Sequence, residues 1–282
     1  MTRRYSPTVR RRRLSAVLRH LRHQNRLTLE GATDQLEWSR GRLAHMEGNK
    51  WTRPDIGNIR QLLDLYKVTD EERREAILEL ARQSRQRGWW TKFKDVFGTD
   101  SLVGFESEAS VISTYQPIVI PGLLQTRGYA AASASASLTR PEEINRTVDA
   151  RIARQEVLAG EQPPTVRAII DESTLHRLPV EDGVAAGQIR HLIDQAQNPD
   201  ITIQVLPFSA GLHPGISGPF VLLDFPDEMD APIAFLEART DALFLEEDDE
   251  VKEYRQVFDR LQAIAKSQSE SIELMESLIN KL

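Results

Sequence analysis

Between Trp38 and Lys50 the sequence reads Trp-Ser-Arg-Gly-Arg-Leu-Ala-His-Met-Glu-Gly-Asn-Lys, a short stretch whose cationic and apolar residues are sorted by position. On a helix, Leu43 and Met46 fall on one side because they are three apart. Arg40, Arg42 and His45 are then left for the other side, where guanidinium and imidazole groups can donate to guanine edges or phosphates. Gly41 has no side chain and lets the backbone come close. Arg40, Gly41, Arg42 and His45 are therefore the expected base contacts. Arg11, Arg12, Thr28, Ser39, Lys50 and Arg53 are the expected phosphate contacts. Arg10-Arg11-Arg12-Arg13 cannot all lie on one helix face, so some must meet solvent or phosphate. Phosphate neutralisation brings sequence-independent affinity and a steep salt dependence. Lys50, Thr52 and Arg53 follow the helix in a loop that ends at Pro54 and commonly faces the backbone.

A second group of polar residues is Asp171, Glu172, His176, His213, Glu237 and Arg239, at strand ends or in the loop Pro-Phe-Ser-Ala-Gly-Leu-His-Pro-Gly-Ile-Ser-Gly from Pro207 to Gly218. Its glycines would let a ligand approach the backbone, yet the spacing matches no phosphate-binding fingerprint. The first reading of that loop is a connection between strands. The alternative makes Trp89, Glu172, His213, Glu237 and Arg239 ligand-binding residues. His20 and His23 suggest no third metal ligand, and neither a nucleophile elbow nor a zincin motif is present. No cofactor and no catalysis are expected.

The elements that must position the first group are short helices. Leu14, Val17, Leu18 and Leu21 give a first helix, Leu14 to Gln24, its core stripe. Met1 to Val9 is polar and reads as loose. Leu27 to Leu36 is a second helix capped by Thr28, with Leu29, Ala32 and Leu36 at helical spacing, and Ser39 is placed to cap the third. Two short helices joined by a tight corner make a helix-turn-helix. Trp38 reads as a core plug. Ile56 to Tyr66 closes the bundle, and a fifth helix, Glu71 to Gln86, carries Ala76, Ile77, Leu80 and Ala81 on a side available to a dimer.

Arg87-Gly-Trp-Trp90, with Phe93, Val96 and Phe97, is an aromatic junction. Beyond it the pattern predicts helices over Glu106–Tyr115, after Pro121-Gly122 with Leu123, Leu124 and Tyr129, over Pro141–Leu158 with Pro141 in the first turn, and over Gly183–Gln197. Strands are expected at Val166–Ile170, Ile201–Leu206, Phe220–Phe225 and Ile233–Glu237. Helices at Asp249–Lys266 and Glu270–Leu282 finish the chain, the last with a stripe of Ile272, Met275, Ile279 and Leu282 that offers a docking face. The expected fold is a mainly α N-terminal helix-turn-helix bundle plus an α+β C-terminal domain with a small sheet. The expected divisions are 1–82, a junction at 83–100, and 101–282.

Composition agrees with this division. The 282 residues are 40% hydrophobic and 28% charged, the proportions of a globular protein. There is no cysteine, which excludes disulfides, thiolate catalysis and cysteine-ligated zinc. No apolar run approaches a membrane span, and the arginine-rich start has no apolar stretch behind it, so a cytoplasmic location is expected. The net charge of −6 hides a split, because residues 1–98 carry 22 Lys/Arg against 12 Asp/Glu, a net of +10, leaving −16 for the remainder. A basic third followed by an acidic remainder suits a nucleic-acid-binding module joined to a different kind of domain.

Leu27-Thr28-Leu29 followed by Ser39, Leu43, Met46 and Glu47 makes residues 14–66 resemble the Xre-type, lambda-repressor-like helix-turn-helix domain. The corner position usually held by glycine is Glu37, and the glycine usually found two residues after the recognition-helix glutamate is Asn49. Left-handed backbone is implied at both, where non-glycine residues are disfavoured. Trp89-Trp90, Ile120-Pro-Gly-Leu-Leu-Gln-Thr-Arg-Gly-Tyr-Ala130, Arg151-Ile-Ala-Arg-Gln155, Val205-Leu-Pro-Phe208 with Gly211 and His213, Gly218-Pro-Phe220 and Phe235-Leu-Glu237 resemble the uncharacterised C-terminal domain fused to Xre-type modules in many actinobacterial regulators. The resemblance implies a regulator that binds double-stranded DNA as a homodimer, often paired with a small protein encoded nearby. Regulated expression of an enzyme or toxin-like second domain, or a protein-binding adaptor, are the alternatives.

Overall fold

The computed structural model describes residues 6–51, 53–98, 102–179, 181, 183–227, 230–238 and 241–281, with the backbone alone at Arg40. In chain order the helices are α1 (Pro7–Gln24), α2 (Leu29–Gln35), α3 (Arg40–Glu47), α4 (Ile56–Leu65), α5 (Glu71–Gln83), α6 (Lys94–Phe97), α7 (Leu102–Glu106), α8 (Arg127–Ser135), α9 (Pro141–Gln155), α10 (Glu172–His176), α11 (Val184–Gln195), α12 (Asp248–Ile264) and α13 (Gln268–Ile279). The strands are β1 (Val111–Gln116), β2 (Thr165–Asp171), β3 (Ile201–Leu206), β4 (Phe220–Asp224), β5 (Ile233–Glu237) and β6 (Ala242–Leu245). Two compact units result, one drawn from 1–92, 99–108 and 227–230, the other from 93–98, 109–226 and 231–282.

The first unit is a helical bundle around Leu14, Leu18 and Leu21 of α1, Leu43 and Met46 of α3, Ile59, Leu62 and Leu63 of α4, and Ile77, Leu80 and Ala81 of α5. The α5 stripe is thus spent inside the bundle, which corrects the expectation that it is open to a dimer. α1 also starts earlier than its apolar stripe suggests. Ser6 caps it by accepting from the Val9 amide, and Pro7 sits in the first turn, where its missing N–H is no loss. Residues 6–9 are buried, so that part of the start is not loose.

Four helices of this unit end alike. Arg26, Glu37, Asn49 and Lys67 take φ of 55°, 53°, 54° and 54°, and each next amide donates to the carbonyl five residues back, as Trp38 does to Thr33 and Val68 to Leu63. This is the Schellman closure, built at all four ends without glycine in the left-handed position. The left-handed backbone implied at Glu37 and Asn49 is present.

The second unit is α+β. Among the described residues its sheet has six strands in the order β3-β2-β1-β4-β5-β6. β1, β2 and β3 are parallel, and β4, β5 and β6 are added antiparallel. Tyr115, Ile169, Leu206, Phe220, Leu222 and Ala234 form one face of the sheet and pack on Val251, Phe258 and Leu261 of α12. The central strand β1 corrects the helix expected over Glu106–Tyr115. Ile112 to Tyr115 is buried on both faces, so it shows no alternation, and β-branched Val111, Ile112 and Thr114 favour the pleat. β6, only four residues long, was not expected either. The stripe of α13 is not an open docking face, because Met275 and Leu278 are buried and Ser271 accepts from the Val205 amide of β3 at 2.9 Å. Leu282 lies outside the described residues.

Candidate nucleic-acid interface and sheet edge

α3 divides by burial as its sequence does. Leu43, Met46 and Glu47 are buried, while Gly41, Arg42, Ala44 and His45 are exposed. Nothing lies within 4 Å of the place a Cβ would occupy on Gly41, so the backbone there faces open space. Arg42 is held in place, its guanidinium 4.3 Å above the Trp38 ring and its Nη2 donating to Asn58 Oδ1 at 2.7 Å. The half-buried Trp38 therefore serves both as part of the core rim and as a platform for Arg42. The Arg40 side chain lies outside the described residues.

Ser39 stands at the N-cap of α3 with extended backbone, yet its hydroxyl makes no cap bond. This corrects the expected cap and leaves an exposed hydroxyl at the helix start. Thr28 does cap α2, accepting from Gly31 N at 3.0 Å. Lys50 and Arg53 are exposed after α3. Arg11 is half-buried and its Nε donates to Asn49 Oδ1 at 3.3 Å.

The rest of the arginine run is committed to the protein. Arg12 is buried, Arg10 pairs with Glu108, and Arg13 pairs with Asp227 and Asp230. The expectation of a phosphate contact at Arg12 therefore meets a side chain with little surface to offer. Sequence reading also missed Arg19, whose Nη2 donates to the Glu47 carbonyl at 2.7 Å, and Arg22, which grips the Glu47 carboxylate. These pairs join α1 to α3 over more than 20 positions, beyond any local spacing signal.

In the second unit, β5 runs parallel to β1, so the carboxyl ends of β1, β2, β3 and β5 share one edge. His213, in the connection from β3 to β4, sets its ring 5.9 Å from Tyr115 of β1 and its Nε2 3.9 Å from Asp171 Oδ2 of β2. Its Nδ1 accepts from Gly215 N at 3.2 Å. A Cβ on Gly215 would come 2.5 Å from the Tyr115 ring, so only glycine permits this contact. Burial, and then the nearby Asp171 charge, raise the Tyr115 hydroxyl above its usual range. Glu172 accepts from Phe208 N at 2.7 Å and stands 3.6 Å from His176 Nε2.

Glu237 does not join them. Because Ala234 and Leu236 pack toward α12, the pleat turns Glu237 to the opposite face, where Arg151 of α9 feels its charge. Trp89 belongs to the first unit, and Arg239 lies outside the described residues. Of the expected ligand residues described in the second unit, Glu172 and His213 stand at one end of the sheet and Glu237 turns to the opposite face.

With this geometry in hand, comparison with known families gives two matches. A helix-turn-helix domain covers residues 13–76. A family described as "Domain of unknown function (DUF5753)" covers residues 99–277, well over half of the chain. The chain belongs to the DUF5753 family. No curated protein and no solved structure matches it.

The helix-turn-helix of this DUF5753 protein offers cationic and hydroxyl groups on one exposed helix. At the sheet edge, His213 and Asp171 at 3.9 Å are not hydrogen-bonded. No hydroxyl bonds to His213 among the described residues. The same edge carries large apolar side chains in the open, with Phe208 59%, Leu212 93% and Ile216 69% exposed.

Proposed function

We propose that this protein is a sequence-specific DNA-binding transcriptional regulator of the Xre, lambda-repressor-like type, acting in the cytoplasm as a homodimer. The observation that carries the reading is the outward face of α3, where Gly41, Arg42 and His45 are exposed while Leu43 and Met46 anchor the helix. α3 enters the major groove, Arg40 and Arg42 donate to guanine edges or nearby phosphates, and His45 reads one turn further along. The Ser39 hydroxyl, Lys50 and Arg53 meet the backbone. A dimer sets half-sites roughly 34–36 Å apart, one turn of the duplex, or a multiple of that.

The second unit is a sensor or partner-binding module without catalytic activity. Exposed Phe208, Leu212 and Ile216 favour a protein partner, such as a small protein encoded nearby, because apolar groups gathered in the open mark interaction surfaces. The test is selection of DNA sites by the purified protein at two salt concentrations. A palindromic motif that survives the higher salt, and is lost on Arg42→Ala, supports the reading. Salt-sensitive binding with no enriched motif overturns it.

A further inference from the structure

α12 does not close completely on the sheet. Between it and the connection that ends at Pro219 lies an open pocket of about 80 Å³, lined by Pro219, Phe220 of β4, Leu236 of β5, and Glu253, Tyr254 and Val257 of α12. That is room for about five water molecules, or for one small organic group. The function proposed above makes no use of it. Phe220 and Tyr254 set their ring centroids 5.1 Å apart with planes inclined at 60°. Phe220 is braced in turn by Phe258, edge-on at 6.4 Å, and by Tyr115 at 6.1 Å. Next to Tyr254, Arg255 ties α12 to the end of β4, its two Nη atoms donating to the Asp224 carboxylate at 2.5 and 3.3 Å. The pocket is therefore built from braced elements.

Glu253 is the one charged residue among the described residues that line it. It is exposed, and no described residue forms an ion pair with it. Three and four positions away along α12 stand Asp249, Glu250, Gln256 and Val257, so no cation lies within helical reach. Arg255 is already spent on Asp224. Burial, and then the charges of Glu253 and Glu250, hold the Tyr254 hydroxyl above its usual range, so negative potential reaches the pocket wall. Anions are thus disfavoured. A hard metal ion asks for several oxygen ligands, which an apolar lining with one carboxylate does not supply. An alkylammonium group suits every part of the lining. Aromatic rings attract a cation, the proline and aliphatic side chains cover its carbon atoms, and the carboxylate answers its charge.

We propose that the pocket between α12 and the β3–β4 connection binds an alkylammonium group, with Phe220 and Tyr254 as its aromatic walls and Glu253 as its counter-charge. The group is the head of a free amine or the side chain of a lysine, which share this chemistry. The site gives the sensor reading of the second unit a ligand class and rests on that reading for its purpose. Occupation of the pocket is independent of DNA binding.

The experiment is saturation-transfer NMR on the full chain with choline, n-butylammonium and Nα-acetyl-lysine amide, beside the uncharged carbon isostere of choline. The cations should take up saturation, and the neutral isostere should need a several-fold higher concentration for the same effect. Tighter binding of choline or n-butylammonium identifies a free amine as the source, and tighter binding of the lysine amide identifies a polypeptide side chain. Glu253→Gln, a change on the surface, should raise the half-saturating concentration several-fold. Tyr254→Leu should raise it further, and Tyr254→Phe should keep the parent's value. Absence of transfer to every cation overturns the site, as does equal binding of the neutral isostere or an unchanged half-saturation in Glu253→Gln. DNA-site selection run in parallel separates failure of this pocket from failure of the regulator reading.

Discussion

Arg22 clasps Glu47 across 25 positions of sequence, its Nε 2.8 Å from Oε1 and its Nη2 2.9 Å from Oε2, both side chains nearly closed to solvent. A third donor, Nη1, reaches Leu27 O at 2.6 Å, so one guanidinium ties α3, α1 and the start of the next turn together. Glu47 is the last residue of α3, and the pair fixes the angle at which that helix leaves the bundle. Breaking one half of a buried pair strands the other charge, which costs about 3–5 kcal/mol. Glu47→Gln should lower the urea midpoint accordingly, and Arg22→Met with Glu47→Leu together should restore much of it. A Glu47→Gln protein as stable as the parent would show that the pair does not fix α3.

On the exposed side of the same helix, Arg42→Ala and His45→Ala should each remove roughly 1–3 kcal/mol of discrimination at their own base positions. Lys50→Ala and Arg53→Ala should weaken all sequences alike and lower the salt slope by about one unit each. Binding isotherms on the selected site and a scrambled duplex at several salt concentrations separate the two classes. If Lys50→Ala altered base preference instead, its assignment to phosphate would be wrong.

The four non-glycine helix ends are a store of unfavourable backbone. Lys67 is exposed, sits at φ 54°, and closes α4 through Val68 N to Leu63 O at 3.0 Å. Lys67→Gly should keep that closure and raise stability by roughly 0.5–1 kcal/mol, the left-handed penalty less glycine's extra freedom when unfolded. A rise of a few degrees in the unfolding midpoint is the expected result, and a fall would show that Lys67 contributes something the backbone argument omits.

His191 of α11 supplies a pH dependence. Burial lowers its pKa from 6.5, only partly offset by Asp194. A cation held below its unfolded value means that the unfolded chain binds the proton more readily. Stability from this group is therefore present above about pH 6.5 and is lost as pH falls through that value toward the folded pKa. His191→Gln should flatten the decline in unfolding free energy between pH 7 and pH 5. An unchanged slope would assign the decline to other groups.

Much of the fold was legible where apolar runs lie between turn-forming residues. β2, β3, β4 and β5 carry β-branched and aromatic residues between Pro, Gly and Asp, and their limits fall within a residue or two of expectation. β1 was not legible, because Ser113 and Thr114 interrupt its apolar run. The left-handed corners at Glu37 and Asn49 followed from position in a motif. The fates of Arg10, Arg12 and Arg13 did not, since the carboxylates of Glu108 and Asp230 stand 98 and 217 positions from Arg10 and Arg13 respectively. At the candidate sites, exposure of Gly41, Arg42 and His45 was readable from helical spacing, whereas the split between Glu172 and Glu237 depends on strand pairing that no short window contains.

The discontinuity of the first unit bears on how this reading head can be handled. Its arginines find their counter-ions in residues that the ribosome adds only after the five bundle helices, at Glu108 and again at Asp227 and Asp230. A fragment cut after α5 retains every residue of α3 but takes Glu108 from Arg10, and Asp227 and Asp230 from Arg13, at the start of α1. Such a fragment carries unneutralised positive charge at α1 that the parent balances with its own carboxylates. The helix-turn-helix here is not a cassette to be lifted out and fused elsewhere, because its charge balance belongs to the longer chain.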